Sequence, residues 1–193
     1  MPEYGLEPLQ PLKFPSWTVT RKPPFNFDQF YQNIKLWNHL LVEIKDVKVE
    51  LSDTKFTLTL NTHYPEVVFS ADYDYRNAIF DGVDMSSTGK CNATARSYDS
   101  STVFNGEIRE NDGLNYVVIT NTTSLVISMG SLSVSYKSDN SEIGNSITEH
   151  FNNNWEAIVE GEGDKYLSIF SATYQIAAND IFSRIPYNVL FPK

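Results

Sequence analysis

The sequence predicts a single α+β domain in which an antiparallel β-meander wraps one long C-terminal helix. Two periodicities and one missing partner predict it. Apolar residues alternate with polar ones from about residue 40 to residue 138, as in strands with one packed face. From Asn140 the apolar spacing changes to three and four, as on one face of a helix. Nothing else in the chain is apolar enough to cover a one-sided sheet, so the sheet must pack on that helix. At 193 residues the chain suffices for one domain with a substantial core, and no linker or repeat divides residues 1–193.

Taken in order, residues 1–15 hold Pro2, Pro8, Pro11 and Pro15 with Leu6, Leu9, Leu12 and Phe14 between them. Such a segment is expected to be extended and pinned by its apolar side chains rather than by a ladder. Pro23-Pro24 marks a loop. Leu40, Val42 and Ile44 alternate with polar partners, the phase slips at Lys45-Asp46, and Val47, Val49 and Leu51 resume it. A slip of one residue predicts a β-bulge or a sharp bend. Phe56, Leu58 and Leu60 form the next run, then Val67, Phe69, Ala71, Tyr73 and Tyr75, then runs over 104–108, 114–120, 125–129 and 132–136. Turn signals at Ser52-Asp53, Asp81-Gly82, Asn111-Asp112-Gly113 and Met129-Gly130-Ser131 are expected to separate strands.

The tail, Asn140 to Pro192, reads as one helix interrupted once. Ile143, Ile147, Phe151, Trp155 and Ile158 make a stripe, Gly161-Glu162-Gly163-Asp164 is the expected break, and Tyr166, Phe170, Tyr174, Ala177, Ile181 and Ile185 resume the pattern. Leu167, Ile169, Ile176 and Phe182 make the second half apolar nearly all round, so it needs a wrapper. Pro186 should end it. About forty residues would span roughly 60 Å.

Composition narrows the chemistry. A net charge of −9 without a basic cluster opposes binding to nucleic acid or to an anionic membrane surface. No run of eighteen apolar residues offers a membrane helix, and Met1–Gly5 has neither the basic region nor the apolar run of a signal peptide. A single cysteine, Cys91, excludes a disulfide within these residues. His39, His63 and His150 stand at no metal-ligand spacing, and no nucleophile-elbow or phosphate-loop pattern occurs, so neither a metal nor catalysis is expected. Asn92-Ala93-Thr94 and Asn121-Thr122-Thr123 fit the N-glycosylation acceptor, a weak indication of the secretory path.

The 12 Phe, 11 Tyr and 3 Trp gather on apolar faces. A long helix touches a curved sheet along a line, and filling both sides of that line at crystal-like density is difficult, so an elongated dry cavity is expected.

At its two ends the sequence resembles the takeout and juvenile hormone binding protein family of arthropods. Leu6-Glu7-Pro8-Leu9-Gln10-Pro11-Leu12-Lys13-Phe14-Pro15 is similar to the family's proline-punctuated lead into its first strand. Phe151-Asn152-Asn153-Asn154-Trp155-Glu156 resembles its helix motif, and residues 181–192, from Ile181 through Arg184-Ile185-Pro186 to Pro192, its closing signature. The resemblance implies a tubular lipid-binding fold, a highly curved antiparallel sheet around a long helix, enclosing a tunnel for a hydrophobic ligand. It implies a secreted carrier of an isoprenoid hormone, a fatty-acid-like lipid or a carotenoid-type pigment, without catalysis or cofactor. Two departures stand out: the family's leading cysteine pair is not found here, and Gly161-Glu162-Gly163 replaces its proline-containing helix break.

The expected lining is Phe56, Leu58, Phe69 and Tyr73 from the sheet with Phe151, Trp155, Ile158, Tyr166, Phe170 and Tyr174 from the helix, with Tyr73 or Tyr174 fixing a polar ligand end. The expected partner is a small hydrophobic molecule. The competing expectation is an extracellular interaction protein with the same fold, filled by side chains and acting through its outer surface.

Overall fold

The computed structural model describes residues 10–21, 27–80 and 82–191, with only the backbone of Glu162. Its strands are β1 (Leu12–Val19), β2 (Gln29–Trp37), β3 (Glu43–Leu51), β4 (Lys55–Tyr75), β5 (Ile79–Phe80), β6 (Val83–Asp84), β7 (Ser87–Asn111) and β8 (Leu114–Ser138). Three helices follow: α1 (Ser141–Asn153), α2 (Trp155–Phe182) and the short α3 (Tyr187–Leu190). One antiparallel sheet runs β1-β2-β4-β7-β8, with β3 beside β2 on the same edge of β4, and β5 and β6 form a small hairpin.

Several expected elements lie where the sequence put them. The phase slip at Lys45-Asp46 is a register shift between Ile44 and Asp46 against β4. Asn111-Asp112-Gly113 turns β7 into β8: Asn111 pairs with Leu114, and Asp112 and Gly113 both have positive φ, 51° and 75°. That is the geometry of a two-residue hairpin loop whose twist matches its strands. Helix α1 begins where predicted, with the Asn140 side chain accepting from the backbone N–H of Glu142 and Ile143.

Other expectations are corrected. Residues 12–15 are not held by side chains alone; they belong to β1, which pairs with β2 from Leu12↔Leu36 to Val19↔Gln29. Pro15 is tolerated because β1 is an edge strand. The earlier part of that segment, the Pro23-Pro24 loop and Asp81 lie outside the described residues. The runs between 104 and 136 are not four strands but the ends and middles of two, each 25 residues long.

Met129-Gly130-Ser131 is no turn, and β8 runs straight through it. Gly130 lies opposite Ser97, since Tyr98 pairs with Met129 and Arg96 with Ser131. A Cβ at Gly130 would lie 3.0 Å from that of Ser97, so the glycine serves a close approach of strands. Ser97 has φ 49°, and across β7 it faces Pro65, flanked by the pairs Tyr64↔Tyr98 and Glu66↔Arg96. Pro65, Ser97 and Gly130 thus form a crease across three strands. On one side the buried positions of β4 are even, Phe56 to Tyr64; on the other they are odd, Val67 to Tyr75.

The helix break is displaced as well. Helix α2 continues through Gly161 and Gly163, and the interruption lies at Asn154. A helical glycine costs only about 1 kcal/mol relative to alanine, which buried Ile158, Leu167 and Ile169 outweigh. Asn154 instead donates its Nδ2 to the His150 carbonyl at 2.8 Å, a side-chain bond that competes with helix continuation there. The last helical turn of α2 ends at Phe182, ahead of Pro186, and α3 follows as a separate turn.

Helices α1 and α2 lie along β8 and take up backbone groups that no further strand pairs. Asn152 accepts from the Val134 N–H at 2.8 Å and donates to the Val134 carbonyl at 3.0 Å. Asn179 does the same for Ile119, at 2.8 and 2.9 Å. The hydroxyls of Thr148 and Ser171 accept from Tyr136 and Ser124 N–H. Helix α2 also reaches the opposite edge, where Lys165 donates to the Thr20 carbonyl beside β1. The helix therefore joins the two edges of the curled sheet.

Candidate functional site

Between the sheet and α2 lies a cavity of about 130 Å³. Strand β7 supplies Cys91, Ala93, Ala95 and Tyr98 to its wall, β4 supplies Val67 and Phe69, and β8 supplies Val126, Met129, Leu132, Val134 and Tyr136. Tyr31 comes from β2, Phe151 from α1, and Ile158, Val159, Gly163, Tyr166, Leu167, Ile169 and Phe170 from α2. No Asp, Glu, Lys, Arg or His lines it among the described residues. The space exists because β7 presents three small side chains in succession at its inward positions, Cys91, Ala93 and Ala95.

Of the ten side chains expected around a ligand, Phe69, Phe151, Ile158, Tyr166 and Phe170 lie on this wall. The other five lie elsewhere. Phe56 and Leu58 belong to a second cluster with Phe104, Val117 and Ile119, against which Tyr174, Phe182 and Phe191 pack. There Phe56 meets Phe182 and Phe191 with ring centroids 5.7 and 5.4 Å apart, so side chains fill that half. Tyr73 packs edge-on against Tyr136 and tilted against Tyr75, off the cavity lining, and bonds Ser87, and Trp155 is half-buried away from it. Tyr174 donates toward the Tyr64 hydroxyl at 3.5 Å.

The residues the sequence did not single out are the polar ones. Gln29, 1% exposed, is the hub of a tyrosine cluster. Its Oε1 accepts from Tyr31 at 2.8 Å and from Tyr166 at 2.8 Å; the Tyr31 and Tyr75 hydroxyls are 2.7 Å apart, and those of Tyr75 and Tyr136 2.8 Å. Burial pushes the Tyr31, Tyr75 and Tyr136 phenols well above their ordinary range, so they stay neutral donors and acceptors. The Cys91 thiol is likewise pushed up, to about 12, by burial, which leaves it protonated and unreactive. One signal could have exposed the cluster: a glutamine in phase with the inward tyrosines Tyr31 and Tyr73.

No group of three His, Cys, Asp or Glu side chains that could hold a metal ion gathers among the described residues. No helix is long and apolar enough to cross a membrane among those residues. Asn92 and Asn121 are both exposed on strands β7 and β8.

Comparison with known proteins places this geometry. The family model described as haemolymph juvenile hormone binding protein matches residues 1–192. A search of curated protein sequences gave no match. Among solved structures, Takeout 1 of Epiphyas postvittana superposes with a TM-score of 0.77 at 14% identity, covering 96% of this chain and 85% of that one. A lipopolysaccharide binding protein gives a TM-score of 0.32 at 10% identity over 81% of this chain and 35% of its own, too low to support an argument.

Proposed function

The chain belongs to the haemolymph juvenile hormone binding protein family, and from that premise we propose that it is a non-enzymatic carrier holding a small water-insoluble molecule between its sheet and α2. The observation that carries the reading is the cavity: about 130 Å³, walled by aliphatic and aromatic side chains together with Cys91 and Asn92, with no charged group among the described residues lining it. Dry cavities of this kind and order of size accept apolar guests. An isoprenoid, a long-chain lipid or a polyene pigment needs more room than about 130 Å³. Met129 and Phe170 on its wall are the side chains whose rotation would supply it.

Secretion belongs to the same proposal, with Asn92 and Asn121 exposed where a glycan could be attached. The test is to extract protein purified from its natural source with organic solvent and identify what is released. A stoichiometric hydrophobic compound supports the carrier, and a clean apo mass in native mass spectrometry, with no uptake after delipidation, refutes it. One observation favours the second reading, an extracellular interaction protein acting through its outer surface. It is the aromatic packing of Phe56, Phe182 and Phe191, which closes the other half of the core. That reading requires the clean apo mass.

A further inference from the structure

The apolar cavity has one polar corner, and its hydrogen bonds can be followed proton by proton. Each tyrosine hydroxyl has a single proton. Tyr31 gives its proton to Gln29 Oε1, so the 2.7 Å contact between Tyr31 and Tyr75 uses the proton of Tyr75, for which Gln29 Oε1 at 3.4 Å is the longer alternative. The 2.8 Å contact between Tyr75 and Tyr136 must then use the proton of Tyr136. The chain of donation runs from Tyr136 through Tyr75 and Tyr31 to Gln29, which also accepts from Tyr166. Tyr136, at the start of the chain and on the cavity wall, is left with oxygen lone pairs to offer.

Gln29 makes this order reversible. Rotating its amide by half a turn presents NH₂ in place of the carbonyl, and the two protons of that nitrogen then go to Tyr31 and Tyr166. Tyr31 is released to donate to Tyr75, Tyr75 to Tyr136, and Tyr136 to whatever lies in the cavity. The number of bonds among these five side chains is unchanged. The same corner therefore accepts from a hydroxyl in one state and donates to a carbonyl in the other.

We infer that this corner is the headgroup site of the carrier and selects ligands with one neutral oxygen function, an alcohol or a carbonyl, against ionised amphiphiles such as fatty-acid anions. The inference rests on the carrier reading and narrows its ligand class. Against an anion the reason is electrostatic: with no cationic side chain on the wall among the described residues, a carboxylate would be desolvated without a counter-charge. For the neutral head, the gain is one or two hydrogen bonds inside an otherwise dry space.

The test uses delipidated full-length protein loaded with the fluorophore phenylnaphthylamine and displaced by octanol, hexyl methyl ketone, octane or octanoate at neutral pH. Octanol and the ketone should both compete, and octanoate should compete at least about a hundredfold more weakly. Tyr136→Phe should weaken octanol and the ketone about three- to tenfold while leaving octane unchanged. Gln29→Leu should weaken the two polar ligands alike, with circular dichroism confirming that each variant folds. Octanoate competing as well as octanol overturns the headgroup site, as does indifference of octanol to Tyr136→Phe, and either leaves the carrier reading intact if octane still binds. Failure of all four ligands, octane included, removes the carrier reading and this inference with it.

Discussion

The cavity straddles the crease formed by Pro65, Ser97 and Gly130, with Tyr98, Val126 and Met129 at its far edge; toward Cys91 and Ala93 the core is hollow, and toward Phe56 and Phe104 it is filled. Strands β4, β7 and β8 and helix α2 run through both halves, while β2 and α1 add Tyr31 and Phe151 to the hollow one and Tyr187 and Phe191 close the filled one. Inward side-chain volume sets the difference. Beyond the crease β7 presents Cys91, Ala93 and Ala95 to the helix, whereas before it Phe104 stands among Phe56, Val117 and Ile119. Interiors pack near crystal density wherever the side chains allow, so a void this size survives only where the strand denies the filler. Polar content differs in kind, since the filled half carries buried hydroxyl pairs, Thr62 with Ser100 and Thr102 with Ser124. The hollow half contains the glutamine and tyrosine cluster, while the filled half is closed by Phe182, Tyr187 and Phe191 from the end of the chain.

The contrast is broken most forcefully by exchanging the two characters. Phe56 is 1% exposed, and Phe56→Ala should cost about 3–5 kcal/mol in urea unfolding, because a ring is removed from a site with no slack. The converse exchange is Ala93→Phe, which places a ring where space already exists. Its stability should change by less than about 1 kcal/mol, while uptake of an apolar ligand falls by at least about a hundredfold, roughly 2.7 kcal/mol. If Ala93→Phe binds as well as the parent protein, the ligand does not occupy this half. Titration with octane, which has no head group, makes that comparison independent of the polar corner.

How the sheet is closed gives a smaller and separate effect. Asn152 and Asn179 satisfy both backbone groups of Val134 and Ile119, one beside each half. Asn152→Leu leaves an N–H and a carbonyl of β8 without their partners and should cost about 1–3 kcal/mol, read from the midpoint of chemical denaturation. Asn179→Leu should cost a similar amount. A loss on only one side would show that one half is held by the helix and the other by its own filling.

These features differ in how far the amino-acid order reveals them. The switch from period two to period three-to-four at Asn140, the bulge at Lys45-Asp46 and the Asp112-Gly113 hairpin depend on local pattern, and each lies where the pattern places it. The helix break does not, because it depends on a competition: Asn154 has a side-chain bond available to the His150 carbonyl, while Gly161 and Gly163 merely lack a side chain. The crease was legible only in part. The inward phase of β4 shifts from even to odd around Pro65, but that Ser97 and Gly130 meet the same line follows from pairing across strands. For the site, large aromatic residues drew attention, yet half of them plug the core. The hollow is made by Cys91, Ala93 and Ala95, whose contribution is what they do not fill. Stability of the clasp was hidden for a similar reason, since Thr148 and Asn152, like Ser171, Gln175 and Asn179, form polar rows at intervals of four on helices read for their apolar stripes.

The smallest effect is a pH dependence, to which the filled half also contributes through Tyr174, whose phenol burial raises as well. Burial raises the Cys91 thiol from 9.0 to about 12 and also raises the Tyr31, Tyr75 and Tyr136 phenols, all on the hollow side. These groups are neutral when protonated, and the unfolded chain releases their protons first. Stability from them is complete below pH 9 and declines as pH rises from 9 toward 12, since over that range the unfolded state binds fewer protons than the folded one. The thiol alone can contribute at most about 1.4 kcal/mol per pH unit. Cys91→Ala should therefore flatten the fall in unfolding free energy between pH 9 and pH 10, whatever it costs at pH 7 through lost volume. The variant also discriminates a buried thiol from an accessible one: if iodoacetamide labels native Cys91 at pH 8 as fast as it labels the urea-unfolded chain, the wall is open to water and the thiol titrates normally. In that case the slopes of the two proteins coincide, and the hollow half is solvent-filled rather than dry.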